Sequence, residues 1–227
     1  MKKFFNNLLT LFVPDNCMIC SSSLKNGEKS LCLVCQSKLP RTRGETFDNE
    51  AEHRVFGKFS YEHGSSFCYY RKGGDFAKLI TAAKYHDKPW INKNLASLFA
   101  SELSLYGWPF DIDVIIPVPI HFFRKIVRGY NQSQPIAEAL SETWNLQVDS
   151  RSLKKTAYTK SQVAHSGQER LDAMHGTFSL KNPERFCGKH VLLVDDVLTT
   201  GATLDACAQL LTNAGARISF LTLGLSE

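Results

Sequence analysis

The chain has 227 residues, of which 43% are hydrophobic, and its formal net charge is +5. This length suits one fair-sized domain with a small appendage, and no segment approaches the roughly 18 consecutive apolar residues of a spanning helix, so we expect no transmembrane segment. The mildly basic charge is compatible with anionic ligands or nucleic acid and identifies neither.

The first residues, 1–14, have two lysines before an apolar run, as a signal peptide does. Asn6 and Asn7 interrupt that run, and no small-residue cleavage site follows it. We therefore predict a short amphipathic helix that docks on the body of the protein. The alternative is an anchor in which residues 1–13 contact a membrane or a partner.

Four cysteines near the start of the chain form two C-x-x-C pairs, Cys17 with Cys20 and Cys32 with Cys35. Each pair places two thiolates on one tight turn, and two pairs complete the shell of four sulfurs that Zn²⁺ prefers. The spacer 21–31 is too polar to form a core, so we expect a structural zinc ion to hold this module together. The alternative is two disulfides or unrelated thiols. The chain has seven cysteines in all, and this odd number favours metal binding in a reducing cytoplasm over secretion.

The composition divides the chain into three parts. From residue 41 to residue 63 it turns polar and acidic, which indicates a connection or a poorly packed segment. We therefore predict an N-terminal helix and zinc module at 1–45, a connection at 46–65 and the main domain at 66–227.

The main domain is predicted to alternate helices and buried strands. Asp75 is predicted to be the N-cap of one helix, and a second helix is predicted from Ile91 to Tyr106. Residues 112–119 predict a buried strand that ends in a pair of prolines, and Pro135 at a first helical position opens another helix. Such a series builds a parallel, twisted sheet with helices on both faces, so we predict an α/β fold.

A basic segment, residues 121–133, follows the strand at 112–119. We predict a loop at the carboxyl edge of the sheet, in which Arg124, Lys125 and Arg128 face a phosphate-rich ligand or a nucleic-acid backbone. A solvated basic loop without a ligand is the alternative.

The most informative stretch is VLLVDDVLTTGAT, residues 191–203. Its first four residues predict a strand covered on both faces, and Asp195 and Asp196 follow where open α/β sheets bind ligands. The next turn offers hydroxyls, backbone N–H groups and a glycine, and a predicted helix from Leu204 points its N-terminus at that turn. We therefore predict a sugar-phosphate site that consists of Asp195, Asp196, Thr199, Thr200, Gly201, Ala202 and Thr203. An ordinary strand, turn and helix is the alternative.

This arrangement of strand, acid pair, TTGAT turn and helix resembles the loop that binds phosphoribosyl pyrophosphate (PRPP) in type I phosphoribosyltransferases. The resemblance implies the fold of that family. It also implies that the acid pair holds the 2′ and 3′ hydroxyls of the ribose and that the turn holds its 5′-phosphate.

The whole chain resembles a narrower group, the ComF family, in which a four-cysteine zinc module precedes a phosphoribosyltransferase domain. This resemblance implies a role in DNA uptake during natural transformation, with the competence machinery as partner. His175 is a departure, because related sequences tend to carry Asn there. The motifs that carry the resemblance are DVIIPVPIHFFRKIVRGYNQS, Lys160-Ser161-Gln162, Gln168-Glu169-Arg170, Gly176-Thr177-Phe178 and LVDDVLTTGATL.

A transferase of this kind would displace pyrophosphate from C1 of the ribose. Mg²⁺ would neutralise the pyrophosphate, assisted by Arg128 and Arg124. Residues 156–178 are predicted to form a hood over the site, with Gln162 and Arg170 as contacts to the ligand, although both also suit an exposed surface. His165 and His175 are in this hood, but a lone histidine in a polar segment is more often solvated than catalytic, so the general base stays unassigned.

Three hypotheses for the function follow. The first is a ComF-like protein that binds PRPP, or another ribose phosphate, with Mg²⁺ and acts in DNA uptake. The second is a salvage enzyme that joins PRPP to a nucleobase. The third is a non-catalytic adaptor that binds single-stranded DNA through the zinc module and residues 124–128.

Overall fold

A five-stranded parallel sheet forms the centre of the protein in the computed structural model, which describes residues 16–85, 88–156 and 177–227. The predicted helix at 1–14 and most of the predicted hood at 156–178 lie outside these residues. The strands are β1 (Gly64–Tyr70), β2 (Val114–Pro117), β3 (Gln147–Val148), β4 (Leu153–Lys155), β5 (Phe178–Leu180), β6 (His190–Leu198) and β7 (Arg217–Ser226). Their order in the sheet is β1-β7-β6-β2-β3, and β4 and β5 form a separate antiparallel pair.

Helices cover both faces of this sheet. They are α1 (Leu33–Ser37), α2 (Glu50–Val55), α3 (Asp75–Tyr85), α4 (Pro89–Ser104), α5 (Phe122–Arg128), α6 (Ser133–Trp144) and α7 (Ala202–Asn213). In β6, Leu192 and Val194 pack into one hydrophobic cluster with residues of α3, α4 and α6, while Val191 and Leu193 pack into a second cluster with α2 and α7. The alternation confirms the predicted α/β fold with a doubly covered parallel sheet.

Several predicted boundaries change in the structure; α3 begins at Asp75, which was predicted to be its N-cap, and α4 runs from Pro89 to Ser104 instead of from Ile91 to Tyr106. Residues 122–128 form α5 instead of a loop, because the side chain of His121 caps the helix by accepting a hydrogen bond from the N–H of Phe123. Helix α6 begins two residues before Pro135, at Ser133, so the proline lies inside the first turn and not at its first position. A proline is tolerated there, because the N–H groups of a first turn have no partner within the helix.

The segment 46–65, predicted to be a connection, contains the short helix α2. Two of its polar residues stabilise the start of this helix, because Asn49 and Glu52 form a reciprocal capping box there. Glu52 is buried and accepts a hydrogen bond from the N–H of Gly64 at 2.9 Å. The segment is therefore packed against β1, and the division of the chain into three parts stays a prediction.

Arg41 joins the cysteine module to the sheet. Its guanidinium contacts both carboxylate oxygens of Glu102 on α4 at 2.7 and 3.0 Å and donates to the carbonyl oxygen of Gln36 at 3.2 Å. The same group lies 4.3 Å from the centre of the Phe67 ring on β1. One side chain therefore connects three parts of the fold. Within the described ranges, no helix combines the length and apolar character needed to cross a membrane.

Candidate functional site

The acid pair lies on β6, which pairs with β2 on one side and with β7 on the other. Oδ1 of Asp195 accepts hydrogen bonds from the hydroxyl of Ser133, at 2.9 Å, and from the N–H of Asp196, at 2.8 Å. Oδ2 of Asp196 lies 2.8 Å from Nζ of Lys84 on α3. Because Val194 pairs with Pro117, the acids lie beside the segment that leaves β2. The two acids were predicted to follow the strand, but they lie inside β6, which stays paired with β7 as far as Leu198, and beyond the last residue pair between β6 and β2.

The pKa of Asp195 is raised to about 7, chiefly because burial disfavours its charged form and also because Asp196 is negatively charged. Hydrogen bonds from Asp196 and Ser133, and the charge of Lys84, oppose this rise only in part. The site thus holds a carboxyl group whose charge changes close to neutral pH. A ligand that donates hydroxyl hydrogen bonds would favour its ionised form.

The turn after β6 leads directly into α7 through Gly201, which has a φ of +81° and is the N-cap residue of that helix. The segment around α2 supports the turn: Nη1 of Arg54 donates to the carbonyl oxygen of Thr199 at 2.9 Å. A Cβ atom added to Gly201 would lie 3.0 Å from Cγ1 of Val55. The N-terminus of α7 therefore faces a turn whose backbone is supported by residues of α2.

One cavity of about 320 Å³ brings most of the predicted site residues together. Thr200, Gly201 and Ala202 belong to the turn but not to the wall of the cavity, and Gln162, Arg170, His165 and His175 lie outside the described residues. The predicted residues that line the cavity are Arg124, Arg128, Asp195, Asp196, Thr199 and Thr203.

The polar residues of the cavity that were not predicted as site residues include Lys84, Ser133 and Lys155. Ser133 is the last residue of the basic segment, whereas Lys84 lies near the end of α3, which was predicted from its apolar residues, and Lys155 ends β4, which was not predicted. Burial and the nearby charge of Arg124 lower the pKa of Lys155, whose ammonium lies 4.7 Å from the centre of the Phe178 ring. The cavity wall thus has two lysines and two arginines against two acids, a balance that suits an anionic ligand.

Arg128, at the end of α5, is held by the segment that follows. Nη1 of Arg128 donates to Oε1 of Gln132 at 2.9 Å, and the carbonyl oxygen of Gln132 accepts a hydrogen bond from the buried Asn92. Asn131 donates to the carbonyl oxygen of Val118 at 3.0 Å, next to the end of β2. These bonds position the guanidinium of Arg128 on the wall of the cavity.

The four cysteines predicted to bind zinc lie together at the N-terminal side of the core. Their sulfur atoms are all within 4.8 Å of one another, and the sulfurs of Cys20 and Cys32 are 3.7 Å apart. A Zn–S bond of about 2.3 Å implies about 3.8 Å between the sulfurs of a tetrahedral shell, so the cluster fits zinc. Hydrogen bonds with Ser22 lower the pKa of Cys20 to about 6, whereas burial raises the pKa of Cys35 to about 12, so the fit to zinc rests on the four sulfurs and their spacing. All seven cysteines lie in the described ranges and are free thiols, so none of them forms a disulfide.

Comparisons with known proteins agree with this geometry. Residues 92–223 match the model of the phosphoribosyl transferase domain family. Competence protein F of Haemophilus influenzae is 33% identical over 144 residues, which cover 60% of this chain and 62% of that protein, so the alignment spans less than two thirds of its length. The DNA utilization protein YhgH of Escherichia coli O157:H7 is 29% identical over 91% of this chain and 94% of its own.

The similarity also includes a relative from a third genus, Streptococcus. Competence protein ComFC of Streptococcus pneumoniae is 25% identical over 94% of this chain and 89% of its own length. These relatives confirm the resemblance to ComF proteins, and the family model covers more than half of the residues. This chain therefore belongs to the phosphoribosyl transferase domain family, as a ComF-like member.

Proposed function

We propose that this protein binds PRPP together with Mg²⁺ and acts in DNA uptake during natural transformation. The observation that supports the ligand is the single cavity lined by Asp195, Asp196, Thr199, Thr203 and Arg128. The names of the relatives, which refer to competence and to DNA utilization, support the process. Free cysteines throughout the chain suit a cytoplasmic location.

The chain offers a partner for each part of the ligand. The carboxylates of Asp195 and Asp196 accept hydrogen bonds from the ribose hydroxyls, and the turn at 199–203 with the N-terminus of α7 binds the 5′-phosphate. Arg128 and Arg124 attract the pyrophosphate. Carboxylate oxygens are also the ligands that Mg²⁺ prefers, so the acid pair suits a magnesium ion brought by the ligand, which would neutralise pyrophosphate charge.

A transfer reaction at this site would break the bond between C1 and the pyrophosphate oxygen and form a bond from C1 to an incoming nucleophile. Pyrophosphate would leave with the bonding electrons, and the positive charge that develops on the ribose would lie beside the acid pair. Gln162 and Arg170 are proposed as further contacts from the hood. Pyrophosphate release across a panel of nucleobases separates a salvage enzyme from a protein that binds PRPP without turnover.

Calorimetric titration with PRPP and Mg²⁺ tests the proposed ligand. We expect wild type to bind, and the double variant Asp195→Asn/Asp196→Asn to lose at least about tenfold in affinity, because two acceptors of ribose hydrogen bonds are weakened. Asp75→Asn is the control, since Asp75 is exposed and pairs with Lys78 outside the cavity. Equal affinities in wild type and the double variant, or no binding by wild type, would contradict the proposal.

We also propose that the four cysteines bind one structural Zn²⁺. The short distances between their sulfurs support this, as do the buried side chains of Cys17, Cys32 and Cys35 in the hydrophobic core. Protein purified without chelator should contain about one equivalent of zinc, and removal of the metal should lower the melting temperature. A zinc content below about half an equivalent would count against the proposal.

A second cavity supports direct binding of single-stranded DNA as a second candidate function. It has a volume of about 920 Å³ and is lined in part by the aromatic side chains of Phe122 and Tyr130. Lys155 lines both this cavity and the cavity that contains the acid pair. Basic side chains that attract phosphates, beside aromatic rings on which bases stack, suit a single strand. The DNA site predicted from the sequence consisted of the zinc module and residues 124–128. The second cavity includes Lys125 of those residues but no residue of the zinc module. The basic residues in its wall are Lys125, Arg151, Lys154, Lys155 and Lys181, against one acid, Glu138.

The variant Lys154→Gln/Lys181→Gln tests this candidate, because both lysines line the second cavity and neither lines the first. We expect weaker binding of a single-stranded oligonucleotide and a salt dependence of log K that is shallower by about 0.7 for each phosphate that the variant no longer neutralises. PRPP binding should be unchanged. An unaltered affinity for the oligonucleotide would exclude this cavity as the DNA site.

A further inference from the structure

Lys84 forms the most shielded ion pair among the residues that the structure describes. It is the penultimate residue of α3, and its Nζ lies 2.8 Å from Oδ2 of Asp196. The two side chains are 19% and 15% exposed, whereas every other ion pair in the described ranges includes a side chain that is at least 40% exposed. The ammonium of Lys84 is therefore largely removed from water and contacts an acid of the ligand cavity.

The backbone beside Lys84 is fixed relative to the cavity. The hydroxyl of Tyr130 donates to the carbonyl oxygen of Ala83 at 2.5 Å, which ties the end of α3 to the segment that carries Arg128 and Gln132. The lysine side chain itself has a flexible stem of four carbons. Its ammonium can therefore change partners inside the cavity while α3 keeps its place.

Under the proposed function, the diphosphate of PRPP lies close to this ammonium. The acid pair binds the hydroxyls on C2 and C3 of the ribose, and the diphosphate is attached to C1, the neighbouring carbon. A diphosphate has several anionic oxygens, and a magnesium ion binds only some of them, so an ammonium can pair with the others. Ribose hydroxyls can then replace Lys84 as the partners of Asp196.

We propose that Lys84 is an exchangeable counter-ion, which pairs with Asp196 in the empty site and with the diphosphate when PRPP binds. Lys84 thereby selects ligands that carry a diphosphate on C1 over ribose phosphates that lack it. This inference rests on the proposed function, because it takes PRPP as the ligand. It adds a residue that contacts the diphosphate from α3, on a different element from Arg124 and Arg128.

Titration of each variant with two ligands, PRPP with Mg²⁺ and ribose 5-phosphate, tests this assignment. In Lys84→Gln we expect the affinity for PRPP to fall at least about tenfold, because a shielded charge partner is removed, and the affinity for ribose 5-phosphate to fall much less. Lys84→Arg should retain most of the preference for PRPP. Lys78→Gln is the matched control, since Lys78 lies on the same helix, is 69% exposed and pairs with Asp75.

The outcomes separate this inference from the function on which it rests. If wild type binds both ligands and Lys84→Gln weakens them equally, or weakens neither, the role of Lys84 in selection is wrong while PRPP binding stands. If wild type binds neither ligand, both proposals fail. Should Lys84→Gln not fold, the lysine NMR signals of the wild-type chain, assigned with Lys84→Arg, give the answer: the Lys84 signal should shift when PRPP is added, and an unmoved signal would overturn the inference.

Discussion

Charged residues cluster both at the amino edge of the sheet, where the parallel strands begin, and at the carboxyl edge, where they end. The two clusters differ in how their acids are paired with basic residues. At the amino edge, Asp111 contacts Nδ1 of His190 at 2.8 Å and also the guanidinium of Arg217. Asp113 beside it contacts Nζ of Lys189 at 2.9 Å and accepts the N–H of His190 at 2.8 Å. Each acid of this edge therefore has its own basic partner within the protein.

At the carboxyl edge, Asp196 pairs with the shielded Lys84, whereas Asp195 accepts hydrogen bonds from the hydroxyl of Ser133 and the N–H of Asp196. The consequence appears in the pKa values: that of Asp111 is lowered to about 2, mainly by Arg217 and then by His190, whereas that of Asp195 is raised to about 7, mainly by burial. The amino edge thus stabilises the ionised form of its acid, while the carboxyl edge opposes it. We infer that the charged residues of the amino edge stabilise the fold and that those of the carboxyl edge bind a ligand.

The largest expected effect is a gain in stability from Asp195→Asn at pH 8. A raised pKa means that the contribution of Asp195 is complete below about pH 4 and is lost as the pH rises through 7. Removing the charge should therefore raise the free energy of unfolding at pH 8 by on the order of 2 to 4 kcal/mol, with little gain at pH 4. Denaturant titrations at both pH values measure this, and a loss of stability at pH 8 would contradict the account.

Gly201→Ala is expected to cost about 1 to 2 kcal/mol and to weaken PRPP binding. Its φ of +81° disfavours any side chain, and the new Cβ would lie 3.0 Å from Val55. Gly188→Ala is the matched control, because Gly188 has a φ of +71° with no atom within 4 Å of the added Cβ. Thermal unfolding should show a smaller loss of stability for Gly188→Ala, and its PRPP binding should be unchanged. Equal losses of stability in the two variants would contradict the role of the contact between Val55 and the turn.

Asp111→Asn is expected to change stability less and with the opposite dependence on pH. Because the pKa of Asp111 is lowered in the folded protein, its contribution is present above about pH 4 and is lost as the pH falls towards 2. Asp111 is 62% exposed, so the loss at pH 7 should be at most about 1 kcal/mol. If Asp111→Asn instead stabilised the protein at pH 7, the two edges would not differ as described.

The smallest effect is expected for Arg54→Met, which removes the support of the turn from α2. The hydrogen bond from Arg54 to the carbonyl oxygen of Thr199 is exposed, so its loss should weaken PRPP binding only about threefold. Thermal stability should stay close to that of wild type. Lys58→Met offers a comparison, because the side chain of Lys58 also lies near Gly201 but approaches it through its carbon stem. Equal effects of the two substitutions on PRPP binding would contradict the role of the Arg54 hydrogen bond.

The sequence predicts the parts of this molecule that are contiguous in the chain. The strand, acid pair, turn and helix at 191–214 are consecutive, and their spacing alone predicts the ligand edge. Strand β1 lacks such a signal, because Ser65 and Ser66 are buried although they are polar. The hydroxyl of Ser66 finds its partner only across the sheet, at 2.6 Å from Oγ1 of Thr222.

The rest of the site depends on contacts between distant parts of the chain. Lys84 and Asp196 are far apart in the sequence, and the apolar pattern that predicts α3 does not indicate that a lysine near its end contacts the site. Arg54 lies in a segment whose composition predicted only a connection, yet it bonds to the turn. Helical periodicity identifies the apolar face of an element, whereas the partners of its polar residues are fixed only by tertiary packing.

The most direct test of the difference between the edges is calorimetric titration of PRPP and Mg²⁺ into two double variants at pH 7.5. We predict that Asp195→Asn/Asp196→Asn loses at least about tenfold in affinity, while Asp111→Asn/Asp113→Asn, which removes two acids from the opposite edge, binds as wild type does. Equal affinities in the two double variants would contradict the assignment of the carboxyl edge to the ligand.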